Sequence, residues 1–163
     1  MNLLSLNKRL TTLIMTLCLS LAVVKASAEE DHDPLNTSAH PHHLSLFLGN
    51  TKLDDESGFT IGVDYEYRLN AFVGLGSVIE YSAGDLDAWT VLAVTDLHIT
   101  NQWIAQLGPG AEFTSEHELF VFRVGTLYEF EVADWTISPQ VHFDYHDGHD
   151  NATVVGLAIG HAF

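Results

Sequence analysis

The sequence predicts an all-β fold: an eight-stranded, antiparallel, up-and-down transmembrane β-barrel preceded by a signal peptide. Three observations predict it. The chain opens with a charged start, an apolar stretch and a small-residue end, the pattern of an export signal. It then alternates large apolar residues with small or polar ones at a period of two, in runs recurring roughly every fifteen residues. The last run closes the chain. Thr153, Val155, Leu157, Ile159, His161 and Phe163 share one face, and Ala152, Val154, Gly156, Ala158, Gly160 and Ala162 share the other. A bulky face outward and a small face inward suit a tight barrel in lipid.

The elements follow in order. Met1–Ala28 reads as the signal: Lys8 and Arg9, the apolar Leu10–Val24, then Ala26-Ser27-Ala28 for cleavage. Its apolar stretch is shorter than the ~20 residues of a spanning helix. Cys18, the single cysteine, lies inside it and follows Leu17 rather than a small residue. Neither a lipid anchor nor a disulfide is therefore expected. Residues 29–42 read as a disordered, His-containing leader, and residues 43–163 as the barrel.

Strand one is expected over His43–Gly49 with Leu44, Leu46 and Leu48 outward. Strand two, Gly58–Leu69, turns Phe59, Ile61, Val63, Tyr65 and Tyr67 out and Thr60, Asp64, Glu66 and Arg68 in. A dry core does not accept that inner face. Strand three, Ala71–Tyr81, places Glu80 inside. Strand four, Ala88–Ile99, places Asp96 and His98 inside. Strand five, Gln102–Phe113, carries Gly108-Pro109-Gly110, which predicts a bulge or bend. Strand six, Leu119–Glu131, turns Arg123, Gly125 and Glu129 in. Strand seven, Trp135–Tyr145, turns Gln140, His142 and Asp144 in.

An even strand number puts both termini on one side, the periplasm for an exported barrel. Short connections are expected there, near Asn70, Asn101 and Asp134. Longer ones are expected at the other end: Asn50–Ser57, Ser82–Asp87, Thr114–Glu118 and His146–Asn151. Two aromatic belts follow from the strand limits. Phe59, Tyr81, Trp89, Phe113, Phe120 and Tyr145 mark the outer rim; Tyr67, Trp103, Tyr128, Phe130, Trp135 and Phe163 mark the inner one. A soluble barrel inverts the two faces, and alternation alone does not choose between them. The export signal, the twin belts and the terminal Phe163 favour lipid.

All 22 acidic residues follow the signal, which takes three of the six basic ones. Lys52, Arg68 and Arg123 remain, so the exported chain carries a formal charge of −19 (three cations against 22 acids). Such a surface repels phosphate backbones and excludes nucleic acid as a partner. It favours cations and basic ligands.

The export signal, eight amphipathic strands and aromatic C-terminus resemble the small OmpA/OmpX-like outer-membrane barrels of Gram-negative bacteria. The resemblance spans about His43–Phe163 and rests on architecture. It implies residence in the bacterial outer membrane with both termini periplasmic, among outer-membrane lipid and lipopolysaccharide. It also implies that Phe163, with Ile159 and Leu157, forms the signal read by the outer-membrane assembly machinery. His161 departs from the apolar residue often found two before the end.

Four constellations carry candidate chemistry. The first is a polar lumen network: Asp64, Glu66, Arg68, Glu80, Asp96, Glu112, Arg123, Glu129, His142 and Asp144. Eight strands leave an interior that side chains fill, so a plug is expected rather than a pore. The second is His146, Asp147, His149 and Asp150 at the outer rim, donors for a divalent metal without a rigid motif. The third is His40, His42 and His43 in the leader, also metal donors. The fourth is Ser138, His142 and Asp144 on one strand face. Ser138 and His142 stand about 13 Å apart at ~3.3 Å per residue, too far for proton transfer, so no catalytic residues and no enzyme are expected. The functional expectation is a non-catalytic outer-membrane barrel with an envelope-structural or surface-interaction role and no cofactor. A divalent-metal or cation-handling barrel is the alternative, with a weakly bound metal. A lipid-modifying hydrolase is third.

Overall fold

The computed structural model describes residues 40–148 and 150–163. The signal segment and the leader through residue 39 lie outside the described residues. Nine strand segments follow: β1 (His42–Leu53), β2 (Glu56–Arg68), β3 (Val73–Ser82), β4 (Ala88–His98), β5 (Trp103–Phe113), β6 (Glu118–Tyr128), β7 (Phe130–Val132), β8 (Trp135–His146) and β9 (Ala152–Ala162). Each pairs antiparallel with its neighbours, and β1 pairs with β9, closing the barrel.

Nine segments make eight staves. β6 and β7 both pair with β8 in one continuous register: Leu127 faces Gln140 and Phe130 faces Ile137. The gap between them lies opposite Pro139, which has no N–H to donate. The sixth stave of the sequence reading is thus one strand with a nick.

Pro109 behaves the same way. Of the predicted bulge or bend, the bulge is absent: Leu92 faces Gly110 and Thr95 faces Leu107, so no residue is inserted. Pairing with β4 simply lapses beside the proline, while Pro109 keeps its place opposite Phe122 on β6. A lost donor costs one rung here and leaves the register unchanged.

Following paired residues around the wall gives the barrel's stagger. The row runs His42, Tyr67, Leu75, Thr95, Leu107, Val124, Phe143 and Thr153, and returns to β1 at Lys52, ten residues beyond His42. With ~3.3 Å per residue and ~4.8 Å between strands, that stagger corresponds to a tilt of about 40°.

Parity follows the alternation. Phe59, Ile61 and Val63 face outward, as do Trp89, Phe120, Phe143, Leu157 and Ile159, all more than two-fifths exposed. Glu66, Glu80, Asp96, Arg123, His142 and Asp144 face inward and are buried. The lumen is not wholly polar. Phe47 packs with Val154 and Ala158, and Val78, Leu92, Val94 and Val121 form a second apolar cluster. Phe47 fits because Gly49 and Gly156 beside it carry no side chain; a Cβ on either meets its ring.

The connections correct one expectation. β1 and β2 continue past Asn50 and are joined by Asp54-Asp55 alone, with Asp54 at φ 49°. A short carboxylate residue tolerates that left-handed turn position. The expected length asymmetry between the two barrel ends therefore shrinks, since 99–102 at one end is comparable with 114–117 at the other.

Candidate functional site

Three layers of polar side chains fill the lumen. The middle layer centres on Arg123 from β6, 1% exposed. Its Nη1 and Nη2 donate to the two carboxylate oxygens of Glu80 on β3 at 2.8 and 2.7 Å. Its Nε and Nη2 donate to both oxygens of Asp144 on β8 at 2.7 Å each. Two two-point ion pairs on one guanidinium leave no oxygen of either acid without a donor. β3 and β8 stand on different sides of the wall, so this layer bridges the barrel.

The second layer lies toward the termini. Gln106 Nε2 donates to Asp64 Oδ2 (3.2 Å) and Asp96 Oδ1 (3.0 Å). His98 Nε2 donates to Glu66 Oε1 at 2.6 Å, and Arg68 lies 3.5 Å from Glu66 Oε2. A cavity of about 20 Å³ beside Asp64, Asp96 and Glu129 has room for one water. Gly74 leaves the space that the Glu66 carboxylate fills, and Gly125 does the same for the His142 ring.

The third layer forms the floor of the loop end. Thr51, Thr60 and Ser82 hydroxyls bond in a ring at 2.6 to 3.1 Å. Beside them His146, at the end of β8, places Nδ1 2.9 Å from the Asp150 carbonyl oxygen. Its Nε2 lies 3.5 Å from Glu112 Oε2, an ion pair when the ring is protonated. Thr90 Oγ1 donates to that same Glu112 oxygen at 3.4 Å. Above this floor opens a cavity of about 480 Å³, walled by Glu56, Asp85, Asp87, Glu116 and Asp150 among others.

The structure regroups the sequence candidates. All ten lumen candidates stand on the inward face or its rims, with Asp64, Arg68 and Glu112 less buried than the rest. The rim set divides: His146 is buried inward, Asp147 and Asp150 are exposed, and His149 lies outside the described residues. The leader set divides as well. His40 is exposed, and His42 stacks on Phe163 (ring centres 5.5 Å apart) and bonds the Tyr65 hydroxyl. His43 turns into the lumen toward Thr136. Adjacent residues of a strand face opposite ways, so His42 and His43 do not meet. Among the described residues no three His, Cys, Asp or Glu side chains converge on one point.

Ser138, His142 and Asp144 form no relay. His142 Nε2 bonds Gln140 Oε1 at 2.9 Å, and both Asp144 oxygens are taken by Arg123. Sequence reading placed Gln106 and Gln140 in the polar lining but missed Phe47 as a lumen residue. Phe47 too lies at inward parity, which was the available signal.

These features define a class: a closed eight-stranded antiparallel barrel with an apolar exterior and a side-chain-filled lumen, the fold of small outer-membrane barrels. No protein-family model matches the sequence, and no curated protein matches it. Solved structures do. The chain is similar to the N-terminal β-barrel domain of OprF from Pseudomonas aeruginosa, with a TM-score of 0.54 and 12% identity, covering 76% of this chain and 98% of that one. It is similar to Ail, the attachment invasion locus protein of Yersinia pestis, solved with the heparin analogue sucrose octasulfate (0.52, 14%, 75% and 96%). It is equally similar to a de novo designed transmembrane β-barrel (0.53, 11%, 76% and 99%). A designed protein among the neighbours makes the point that this architecture by itself specifies no activity.

Proposed function

We propose that this chain is a small, non-catalytic barrel of the bacterial outer membrane, with a plugged lumen and an acidic surface at its loop end. The observation that carries the reading is the pairing of faces. Large apolar side chains ring the outside, while charged and amide side chains are hydrogen-bonded to one another inside. An exposed apolar band of that extent in water is an aggregation liability, and in lipid it is the required surface. Trp89 against Tyr81, and Trp135 against His161, sit at opposite ends of the wall as rim aromatics do.

On this reading both termini face the periplasm, and Phe163 serves the assembly machinery. Its edge is fixed by backbone bonds between Phe163 and His42. The acidic end then meets the outside, where divalent ions bridge its carboxylates to lipopolysaccharide phosphates. A polyanion such as the one bound to Ail is disfavoured here, because carboxylates crowd that end.

The test is membrane fractionation joined to conductance. The folded, heat-modifiable chain is expected in the outer-membrane fraction, and the purified protein is expected to give no steady open level in a planar bilayer. A stable nanosiemens channel overturns the plug. Recovery as a detergent-free soluble monomer overturns the membrane reading.

A further inference from the structure

We propose that Asp64, Asp96 and Gln106 form a proton-binding site in the terminal half of the lumen, where the two carboxyls share one exchangeable proton. The inference goes beyond the plugged-barrel reading and concerns what the plug itself binds.

The argument begins at the Gln106 side chain, 1% exposed. Its Nε2 carries two hydrogens, and both are engaged: one by Asp64 Oδ2 at 3.2 Å, the other by Asp96 Oδ1 at 3.0 Å. Its Oε1 is buried and has no hydrogen-bond partner among the described residues. That oxygen only accepts, so a donor is what it lacks. Turning the amide over gives no relief, because the oxygen then faces two carboxylates.

No basic side chain supplies the donor. Arg123 gives its hydrogens to Glu80 and Asp144. Arg68 and His98 pair with Glu66, and His43 stands 4.0 Å from Glu129 while bonding Thr136. Among the described residues no ion pair reaches Asp64 or Asp96. Two carboxylate oxygens on one amide nitrogen stand about 5 Å apart. Two full charges that close, away from cations and with Glu66, Glu80 and Glu129 also facing inward, are unfavourable.

One proton resolves both deficits. It removes a charge, and the O–H it forms is the donor that Gln106 Oε1 lacks. An amide that donates to a carboxyl accepts back from the second oxygen of that carboxyl once it is protonated, which makes a two-point pair. The proton belongs to the pair rather than to either member. A way in is present. The cavity of about 20 Å³ touches Asp64, Asp96 and Gln106 and extends to His43 and Glu129, whose side chains are 16% and 10% exposed. It has room for one water, enough to pass a proton to the mouth at the terminal end.

The experiment uses the full chain folded in detergent and reads the carbonyl stretch of neutral carboxyl groups by infrared spectroscopy near neutral pH. Aspartate labelled with carbon-13 at the side-chain carboxyl identifies the residue type. One neutral aspartyl band is expected, shifted by the label and by exchange into heavy water. Asp64→Asn and Asp96→Asn are each expected to abolish it, because either replacement removes the charge that the proton offsets. Asp54→Asn at the exposed turn is expected to leave it. Absence of any neutral-carboxyl band overturns the proposal and assigns Gln106 Oε1 to a water donor. A band that the aspartate label does not shift belongs to a glutamate and overturns it as well. So does a band that survives in both Asn variants. The labelled, unaltered chain decides the matter even where a variant misfolds. None of these failures alters the fractionation result.

Discussion

The middle of the lumen and its loop-end floor hold the same kinds of groups in opposite states. Around Arg123, four donor hydrogen bonds meet four carboxylate oxygens from Glu80 and Asp144. At the floor, His146 and Glu112 also stand as base and acid, yet 3.5 Å apart and without a hydrogen bond between them. The first arrangement is closed and leaves nothing for a ligand. The second is a looser ion pair, open on one side to the loop-end cavity. Buried charge in this barrel thus braces the wall where the geometry is complete and leaves a looser pair where it is not.

The largest effect that sharpens the contrast is expected at the centre. Arg123→Met leaves two buried carboxylates uncompensated and is expected to cost about 3–5 kcal/mol of stability. Urea unfolding followed by heat-modifiability reads it. Replacing all three partners together, Arg123→Met with Glu80→Gln and Asp144→Asn, is expected to recover much of that loss, since the penalty lies in the unpaired charges. A single variant as stable as the parent breaks the comparison.

A smaller loss is expected one layer below. Gln106→Leu removes the donor shared by Asp64 and Asp96. Removing a buried donor costs about 1–3 kcal/mol, read by the same unfolding assay. The smallest effect belongs to the floor. Glu112→Gln loosens one long pair, 3.5 Å from His146, at the edge of the loop-end cavity, so its stability is expected to change by less than about 1 kcal/mol. A loss as large as that of Arg123→Met shows the floor to be a brace, and the distinction between the two regions then disappears.

Much of the barrel was legible because strand parity is a local property. Phe59, Ile61 and Val63 against Thr60, Asp64 and Glu66 announce an outer and an inner face without reference to any other strand. The failures share a different origin. Pro109 was expected to interrupt pairing with a bulge or bend; pairing with β4 does lapse there, but no residue is inserted, because Gly108 and Pro109 kept their partners on β6. The β1–β2 connection contracted to Asp54-Asp55 because Thr51, Lys52 and Leu53 found partners on both β2 and β9. Phe47 entered a lumen expected to be polar because glycines on its own and the neighbouring strand left room for its ring.

By itself the sequence determined the strand count, the outward apolar face, the inward acids and the two aromatic rims, since each is written in a period of two along a single segment. Which acid meets which base was decided only by the closed barrel. Its ten-residue stagger sets Arg123 between Glu80 and Asp144, and carries His146 across β6 to Glu112, 34 positions away in the chain. A hydrogen bond depends on ångström-scale separation, and register between strands, unlike parity within one, is a property of the whole sheet.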